Sequence, residues 1–222
     1  MPETKAPLTI DVFSDVVCPW CLIGKRRLEN AIKLVPEIPV EIRYQPYFLN
    51  DWIPVEGISR EEYLTKKFGS PQGYAQIAKR VSTTAAQEGL VYNIDKVSRQ
   101  PNTTDCHRLI MWAAEGGKSL EMKQRLMDLY FTEGGDLTDR EVLVKAASDV
   151  GLNADEVRKR LADGTDIELV TQAAEQAKAA GIQGVPFFIF GGKYAVSGAH
   201  PPEELASAIR QAAAEVASAA AE

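Results

Sequence analysis

The order of apolar and polar residues predicts a strand, a helix and a second strand at the start of the chain. Residues 8–13 are rich in β-branched and aromatic side chains after a polar lead, which is typical of a strand. From Cys18 to Leu34 the apolar residues recur at helical intervals, and Pro19 is suited to the first turn. Residues 40–46 alternate between apolar and polar side chains and are predicted to form the second strand.

The middle of the chain, from Arg60 to about Thr165, has helical spacing and no convincing strand. Gly, Pro and Asn residues separate the helical stretches, and Asp139 and Asn153 are suited to cap two of them. The predicted helices cover residues 61–67, 72–88, 105–115, 120–131, 139–150 and 153–161. This pattern predicts an all-helical block without internal repeats.

The end of the chain returns to a mixed pattern. A helix is predicted from Asp166 to about Ala180, and another from Pro202 to about Val216. Between them, two apolar runs flank Gly191-Gly192, which predicts a hairpin with a primed turn. Because neither end of the chain has enough strands to be stable alone, we expect one α/β sheet interrupted by a helical insertion.

Composition and charge exclude several classes of protein. The 222 residues are 45% apolar and 25% charged, which is an ordinary globular balance. The net charge of −6 and the absence of a basic tract argue against nucleic acid as a partner. No segment approaches the roughly 20 apolar residues of a membrane span. The first residues lack an apolar signal core, so we expect a cytoplasmic protein, although a leader removed beforehand would leave the same pattern.

The cysteines carry the candidate chemistry, because two of the three stand close together as Cys18-Pro19-Trp20-Cys21. Residues three apart on a helix share a face and are about 4.5 Å apart along its axis, within the Cα range of a disulfide. So short a loop adds little stability, which favours reversible redox chemistry over a structural bridge. The helix start favours a thiolate at Cys18, so Cys18 is predicted to attack and Cys21 to resolve.

Two alternatives stay open on spacing alone. A zinc site is arithmetically complete if Cys106 and His107 or His200 join the pair, but the spacing is not that of a zinc knuckle and we expect no metal. Pro186 directly precedes an apolar run. It is either an ordinary trans proline that begins a strand, or a cis proline that turns the Val185 backbone outward to pair with a substrate.

Taken together, these motifs resemble the DsbA family of thioredoxin-like oxidoreductases, and specifically its FrnE-like branch. The resemblance covers nearly the whole chain and rests on residues 14–21, 24–29, 101–103, 107–109, 181–188, 197–199 and 201–203. It implies a thioredoxin-like domain made of residues 1–50 and 168–222, with a helical insertion domain at 51–167. It also implies Cys18 as nucleophile, Cys21 as resolving thiol and a cis Pro186 facing them.

The same branch includes 2-hydroxychromene-2-carboxylate isomerases and kappa-class glutathione transferases. Those proteins characteristically carry serine where this chain has Cys18, so the resemblance favours disulfide exchange over glutathione-dependent isomerisation. We expect protein or small-molecule thiols and disulfides as partners, no cofactor besides the Cys18–Cys21 disulfide, and glutathione as an optional co-substrate. The direction of exchange and the choice between monomer and homodimer are left open by the sequence.

Further residues are expected near the site. Pro19, Trp20 and Val185 are predicted to bind substrate, and Asn102 and His107 to line the site from the insertion. A buried acid could accept the proton of the resolving thiol. Asp11 within the first strand is favoured for this role over Asp15, which is expected in an exposed turn. Cys106 is expected to be a small buried hydrophobe, with a third redox thiol as the alternative.

Overall fold

The fold is given by a computed structural model, which describes residues 6–219. Strands and helices follow the predicted order, with additional short elements inside the insertion. In chain order the elements are β1 (Leu8–Ser14), α1 (Pro19–Lys33), β2 (Val40–Pro46), β3 (Ile58–Ser59), α2 (Arg60–Phe68), α3 (Pro71–Gln87), a 3₁₀ turn (Ile94–Lys96), β4 (Arg99–Gln100), α4 (Thr104–Glu115), α5 (Ser119–Asp128), a π-helical turn (Leu129–Glu133), α6 (Arg140–Asp149), α7 (Ala154–Ala162), α8 (Ile167–Ala179), β5 (Phe187–Phe190), β6 (Tyr194–Ser197) and α9 (Pro202–Ala219).

The main sheet has the strand order β2-β1-β5-β6. Strand β2 runs parallel to β1, whereas β5 is antiparallel to β1 and to β6. The predicted hairpin between β5 and β6 is confirmed, and its turn explains the glycine pair. Gly191 and Gly192 have φ of 58° and 69°, a left-handed conformation that favours glycine over residues with a side chain.

Helices cover both faces of this sheet. Ile10 and Val12 of β1 point to one face and pack with Leu28 of α1 and Ile209 of α9. Phe13 points to the other face, where it packs in a small apolar cluster with Ala177 of α8. The alternation along β1 therefore fixes which helix lies on which face. As a result, α1 and the cysteines at its start are held over the end of β1.

The insertion has the largest apolar core, and this core continues into the segment that carries the cysteines. Leu109 of α4 and Leu126 of α5 belong to it together with Val16 and Leu22. The predicted helix cap at Asn153 is confirmed, because its side chain accepts hydrogen bonds from the N–H groups of Asp155 and Glu156, the second and third residues of α7. Asp139 likewise caps α6. None of the helices within residues 6–219 has the length and apolar character needed to cross a membrane.

The prediction of an all-helical insertion is wrong at one place. Ile58 and Ser59 pair with Gln100 and Arg99 in a two-stranded antiparallel ladder. Two-residue strands are too short to show a period of two, and their partners lie about 40 residues apart in the chain, so the sequence pattern does not indicate them. The predicted helix at 120–131 also ends earlier, because α5 passes into the π-helical turn after Asp128.

Candidate active site

The cysteine pair lies at the first turn of α1. Cys18 is the residue that caps the helix, in an extended conformation with φ −89° and ψ 113°, and Pro19 is its first helical residue. The Cys18 Sγ accepts a hydrogen bond from the backbone N–H of Cys21 at 3.3 Å. Because that N–H is one of the free donors of a helix start, the position stabilises negative charge on the sulfur.

The loop before β5 meets the cysteines from the opposite side. The Val185–Pro186 peptide bond is cis, and the Val185 carbonyl accepts a hydrogen bond from the Cys18 thiol at 3.6 Å. Gly24, one turn into α1, lies directly against Pro186, since a Cβ atom there would come within 2.7 Å of the Pro186 ring. The structure therefore brings together Cys18, Cys21 and Pro186, with no room for a side chain at position 24.

The two sulfurs have different surroundings although both side chains are buried, at 3% exposure for Cys18 and 2% for Cys21. Cys18 lines an open cleft, and Cys21 is not among the residues that line it. Burial, followed by the hydrogen bond and charge of Cys18, raises the pKa of the Cys21 thiol well above its ordinary value, while the Lys123 ammonium opposes that rise. Only Cys18 is therefore open to attack from the cleft.

The cleft has a volume of about 230 Å³ and is lined mainly by aromatic and aliphatic side chains. Pro19, Trp20 and Val185, which the sequence predicts to bind substrate, are all part of its lining. The opposite wall comes from the insertion. Its aromatic members are Tyr63, Phe68, Tyr74, Tyr92 and Phe131.

Basic side chains stand among these rings. The Arg60 guanidinium lies 5.1 Å from the centre of the Tyr63 ring and 5.3 Å from that of Tyr74. Lys67 donates a hydrogen bond to the Asn50 side chain. Burial lowers the pKa of the Lys67 ammonium, while the charges of Cys18 and Asp15 oppose that fall. Neither Arg60 nor Lys67 is indicated as a site residue by the sequence. Their spacing with Tyr63 would place all three on one helical face, but no pattern indicates that this face meets Cys18.

Below the cysteines, on the side away from the cleft, lies a buried polar cluster formed by Asp15, Thr103, His107 and Lys123. The Asp15 carboxylate accepts hydrogen bonds from the Leu49 N–H at 2.9 Å and the Thr103 hydroxyl at 3.3 Å. His107 Nε2 lies 3.5 Å from its other oxygen. The expectation that Asp15 is exposed is wrong, because its side chain is 1% exposed. Donors from two other segments compensate the cost of burying this carboxylate.

Burial and charge act against each other in this cluster. Burial alone would raise the pKa of Asp15, but His107 and the Leu49 N–H hold it below its ordinary value. Burial lowers the pKa of His107 despite the nearby carboxylate. Burial also lowers the pKa of Lys123, whose charge is favoured by Cys21 and Asp15. Lys123 is 1% exposed. Its burial is not indicated by the sequence, because a lysine in an amphipathic helix is expected to be solvated.

Cys106 is fully buried beside this cluster, and burial, with the Asp105 carboxylate next to it, raises the pKa of its thiol well above the ordinary value. The expectation of a small buried side chain at this position agrees with that placement. His107 packs edge-on against Phe48, with ring centres 5.6 Å apart, and does not line the cleft.

Other predicted residues lie away from the cysteines. Asp11 is on the face of the sheet opposite α1, where its carboxylate accepts a hydrogen bond from Gln45 at 2.9 Å. The Asn102 side chain is engaged by the Ile53 carbonyl and the Thr104 N–H. Both ring nitrogens of His200 are engaged by Glu204 and the Ser197 carbonyl. Within residues 6–219, no group of three or more His, Cys, Asp or Glu side chains is arranged to hold a metal ion.

The fold and site define a thioredoxin-like protein whose sheet domain is interrupted by a helical insertion, with a dithiol at the start of α1. Residues 9–210 match the family model described as DSBA-like thioredoxin domain. The chain therefore belongs to the DsbA-like thioredoxin family, whose members are thiol-disulfide oxidoreductases.

Individual relatives agree with this assignment. The chain is 33% identical to the probable DsbA oxidoreductase SCO1869 from Streptomyces coelicolor, with a TM-score of 0.85 and coverage of 94% of this chain and 91% of that one. It is 29% identical to the uncharacterized protein YwbO of Bacillus subtilis (strain 168), over 82% of this chain and 86% of YwbO. A 2-hydroxychromene-2-carboxylate isomerase structure shares the fold at 14% identity, with a TM-score of 0.70 and coverage of 95% and 98%.

Proposed function

We propose that this protein is a thiol-disulfide oxidoreductase in which Cys18 is the nucleophile and Cys21 the resolving thiol. The observation that carries the proposal is the asymmetry of the pair. Cys18 Sγ receives the Cys21 N–H at 3.3 Å and lines the cleft, whereas Cys21 is buried behind it. Charge on the sulfur is therefore favoured at the atom that a substrate can reach.

In the reducing direction, the Cys18 thiolate attacks one sulfur of a substrate disulfide. The substrate S–S bond breaks, a mixed disulfide forms on Cys18, and the departing thiolate takes a proton from water. Cys21 then loses its proton and attacks Cys18 Sγ, which releases the second substrate thiol. Two electrons pass to the substrate and the protein is left as the Cys18–Cys21 disulfide; oxidation of a dithiol substrate is the same sequence in reverse.

Val185 and Pro186 are proposed to position the substrate during these steps. The Val185 carbonyl lies at the rim of the cleft, 3.6 Å from Cys18 Sγ, and the Pro186 ring is fixed against Gly24. Asp15, rather than Asp11, is the acid that we propose to influence the pair, because Asp11 lies on the other face of the sheet and Asp15 shares its buried surroundings with Lys123.

We assign the chain to the FrnE-like branch and to the cytoplasm as part of this proposal. The branch assignment is supported by the motif order and by the presence of both cysteines. The competing function is that of a glutathione-dependent isomerase or transferase. We retain this alternative because the isomerase structure shares the fold. Turnover of a small aromatic substrate with glutathione, unaffected by Cys21→Ser, would favour that alternative.

Reduction of insulin by dithiothreitol, followed as turbidity, tests the proposed function. Wild type and Cys106→Ser are expected to accelerate the reaction equally, whereas Cys18→Ser is expected to fall to the uncatalysed background. Cys21→Ser should accumulate a mixed disulfide on Cys18 that mass spectrometry detects. Wild-type turnover by Cys18→Ser would overturn the dithiol mechanism.

A further inference from the structure

The cleft around Cys18 has an unusual charge for this protein. The chain has a net charge of −6, yet the ionisable side chains that line the cleft besides Cys18 and the tyrosines are Arg60 and Lys67. Arg80 adds a third positive charge at the edge, 5.3 Å from the centre of the Trp20 ring. A cleft lined by one sign of charge with apolar walls concentrates ligands of the opposite charge.

These cations are not neutralised by the protein. Arg60 Nη1 donates to the side-chain carbonyl of Gln100 at 2.7 Å, and Lys67 donates to Asn50, both uncharged amides. Among residues 6–219, no carboxylate forms a salt bridge with Arg60, Lys67 or Arg80. By contrast, Arg27 of α1 forms a salt bridge with Glu88 at 2.6 Å. The counter-charge for the cations of the cleft can therefore be supplied by a substrate.

Aromatic rings hold these cations in place. The Arg60 guanidinium is packed near two tyrosine rings, and the Lys67 ammonium lies 5.5 Å from the centre of Tyr63. Because these contacts already restrict the Arg60 and Lys67 side chains, less conformational entropy is lost when a ligand binds. The cleft volume of about 230 Å³ suits a group no larger than one amino acid.

We propose, building on the exchange activity proposed above, that the cleft selects disulfides that carry a carboxylate within a few bonds of the sulfur. Lys67 and Arg60 are the specificity-determining residues, and the aromatic wall covers the apolar part of the same substrate. In one turnover the reduced protein reacts with an anionic disulfide, the substrate S–S bond breaks, and two anionic thiols and the Cys18–Cys21 disulfide are formed. The two electrons and two protons of the protein dithiol pass to the products.

Three small disulfides of similar skeleton test the proposal: 3,3′-dithiodipropionate is anionic, bis(2-hydroxyethyl) disulfide is neutral and cystamine is cationic. Each is mixed with pre-reduced protein at low salt, and the second-order rate constant is divided by that of free dithiothreitol with the same disulfide. We expect the normalised rate to fall in the order anionic, neutral, cationic. The preference should shrink at 1 M salt, where the screening length drops to about 3 Å.

Lys67→Met, compared with the charge-matched control Lys66→Met, tests whether Lys67 causes the preference for anionic disulfides. The Lys66 ammonium lies 4.7 Å from the centre of the Trp52 ring and does not line the cleft. Lys67→Met is expected to reduce the ratio of anionic to neutral rates by up to about five-fold, the most that one exposed ion pair supplies. Lys66→Met should leave this ratio at the wild-type value.

A peptide disulfide with Glu on both sides of the cysteine, compared with its Gln counterpart, distinguishes protein substrates from small acids. A preference for the Glu peptide extends the proposal to acidic protein segments, and a preference confined to dithiodipropionate restricts it to small acids. Equal normalised rates for all pairs, with exchange still dependent on Cys18, would overturn the proposed selectivity and leave the exchange function intact. Failure of every disulfide to oxidise Cys18 and Cys21 would instead overturn the function itself.

Discussion

The two sides of the cysteine pair differ in how their charged groups are partnered. On the cleft side, Arg60 and Lys67 stand among aromatic rings with amide partners only. On the buried side, one oxygen of the Asp15 carboxylate accepts two hydrogen bonds, the other faces His107 Nε2 at 3.5 Å, and Lys123 lies close by. Charges that the protein satisfies internally can stabilise the fold and the thiols, whereas charges that it leaves unmatched are available to a ligand.

This comparison separates two kinds of effect. Changes in the buried polar cluster should act on stability and on its pH dependence, because its ionisable groups are buried and influence one another's charge. Changes in the cleft should act on substrate choice with little effect on stability, because exposed charges contribute little to folding.

Asp15→Ala should lower the free energy of unfolding by about 3 kcal/mol, because it leaves the Leu49 N–H and the Thr103 hydroxyl without their acceptor in a buried site. Urea denaturation at neutral pH measures the loss. Asp155→Ala removes an acid that is 95% exposed and should change stability by no more than about 0.5 kcal/mol. Equal effects of the two substitutions would show that the buried Asp15 carboxylate stabilises the fold no more than an exposed acid does.

Gly24→Ala should cost about 1–3 kcal/mol, because its Cβ would lie 2.7 Å from the Pro186 ring and 3.3 Å from Phe188. Insulin reduction should also slow, since the ring that lies opposite the cysteines must move. Gly116→Ala is the matched control, because a Cβ there meets nothing closer than 3.9 Å. Full activity and stability in Gly24→Ala would show that the contact with Pro186 is not needed.

His107→Gln should weaken the loss of stability on acidification. Burial lowers the pKa of His107 in the folded protein below the 6.5 of a free histidine, so the unfolded chain takes up the proton first. Stability from this group is therefore present above about pH 6.5 and is lost as the pH falls, by at most about 1.4 kcal/mol per pH unit. Unfolding free energies at pH 7 and pH 5 should differ less in the variant, and an unchanged difference would contradict this assignment.

Cys106→Ala should have the smallest effect on the pH dependence of stability, and this effect should be confined to alkaline pH. Burial raises the pKa of this thiol above the 9.0 of a free cysteine, so the unfolded chain releases its proton first and stability is lost as the pH rises through that value. The variant should lose less stability than wild type between pH 8 and pH 10 while reducing insulin at the wild-type rate. A fall in exchange activity would instead give Cys106 a redox role.

The sequence was sufficient for the parts of the fold that depend on local pattern. Alternation predicted β1 and β2, the Gly191-Gly192 pair predicted the hairpin, and Asn153 predicted a helix start. The ladder of β3 and β4 escaped prediction because it depends on pairing between distant residues.

The site divides in the same way. Cys18 and Cys21 could be identified because their spacing and the helix start lie within one segment. Asp15 was expected in solvent and Lys123 was overlooked, because the burial of each depends on tertiary packing between the insertion and the loop before α1. Arg60 and Lys67 in the lining of the cleft were missed for the same reason. The position of α2 over Cys18 is set by packing and not by a local pattern.

The central claim is that Cys18 and Cys21 form one redox couple from which Cys106 is excluded. Equilibration of the protein in glutathione buffers of graded potential, followed by acid quenching, alkylation of the unfolded chain and peptide mass spectrometry, tests it directly. We predict one two-electron transition in which Cys18 and Cys21 become linked while Cys106 stays alkylatable at every potential. The absence of a Cys18–Cys21 disulfide in the most oxidising buffer, or a disulfide that contains Cys106, would contradict the account.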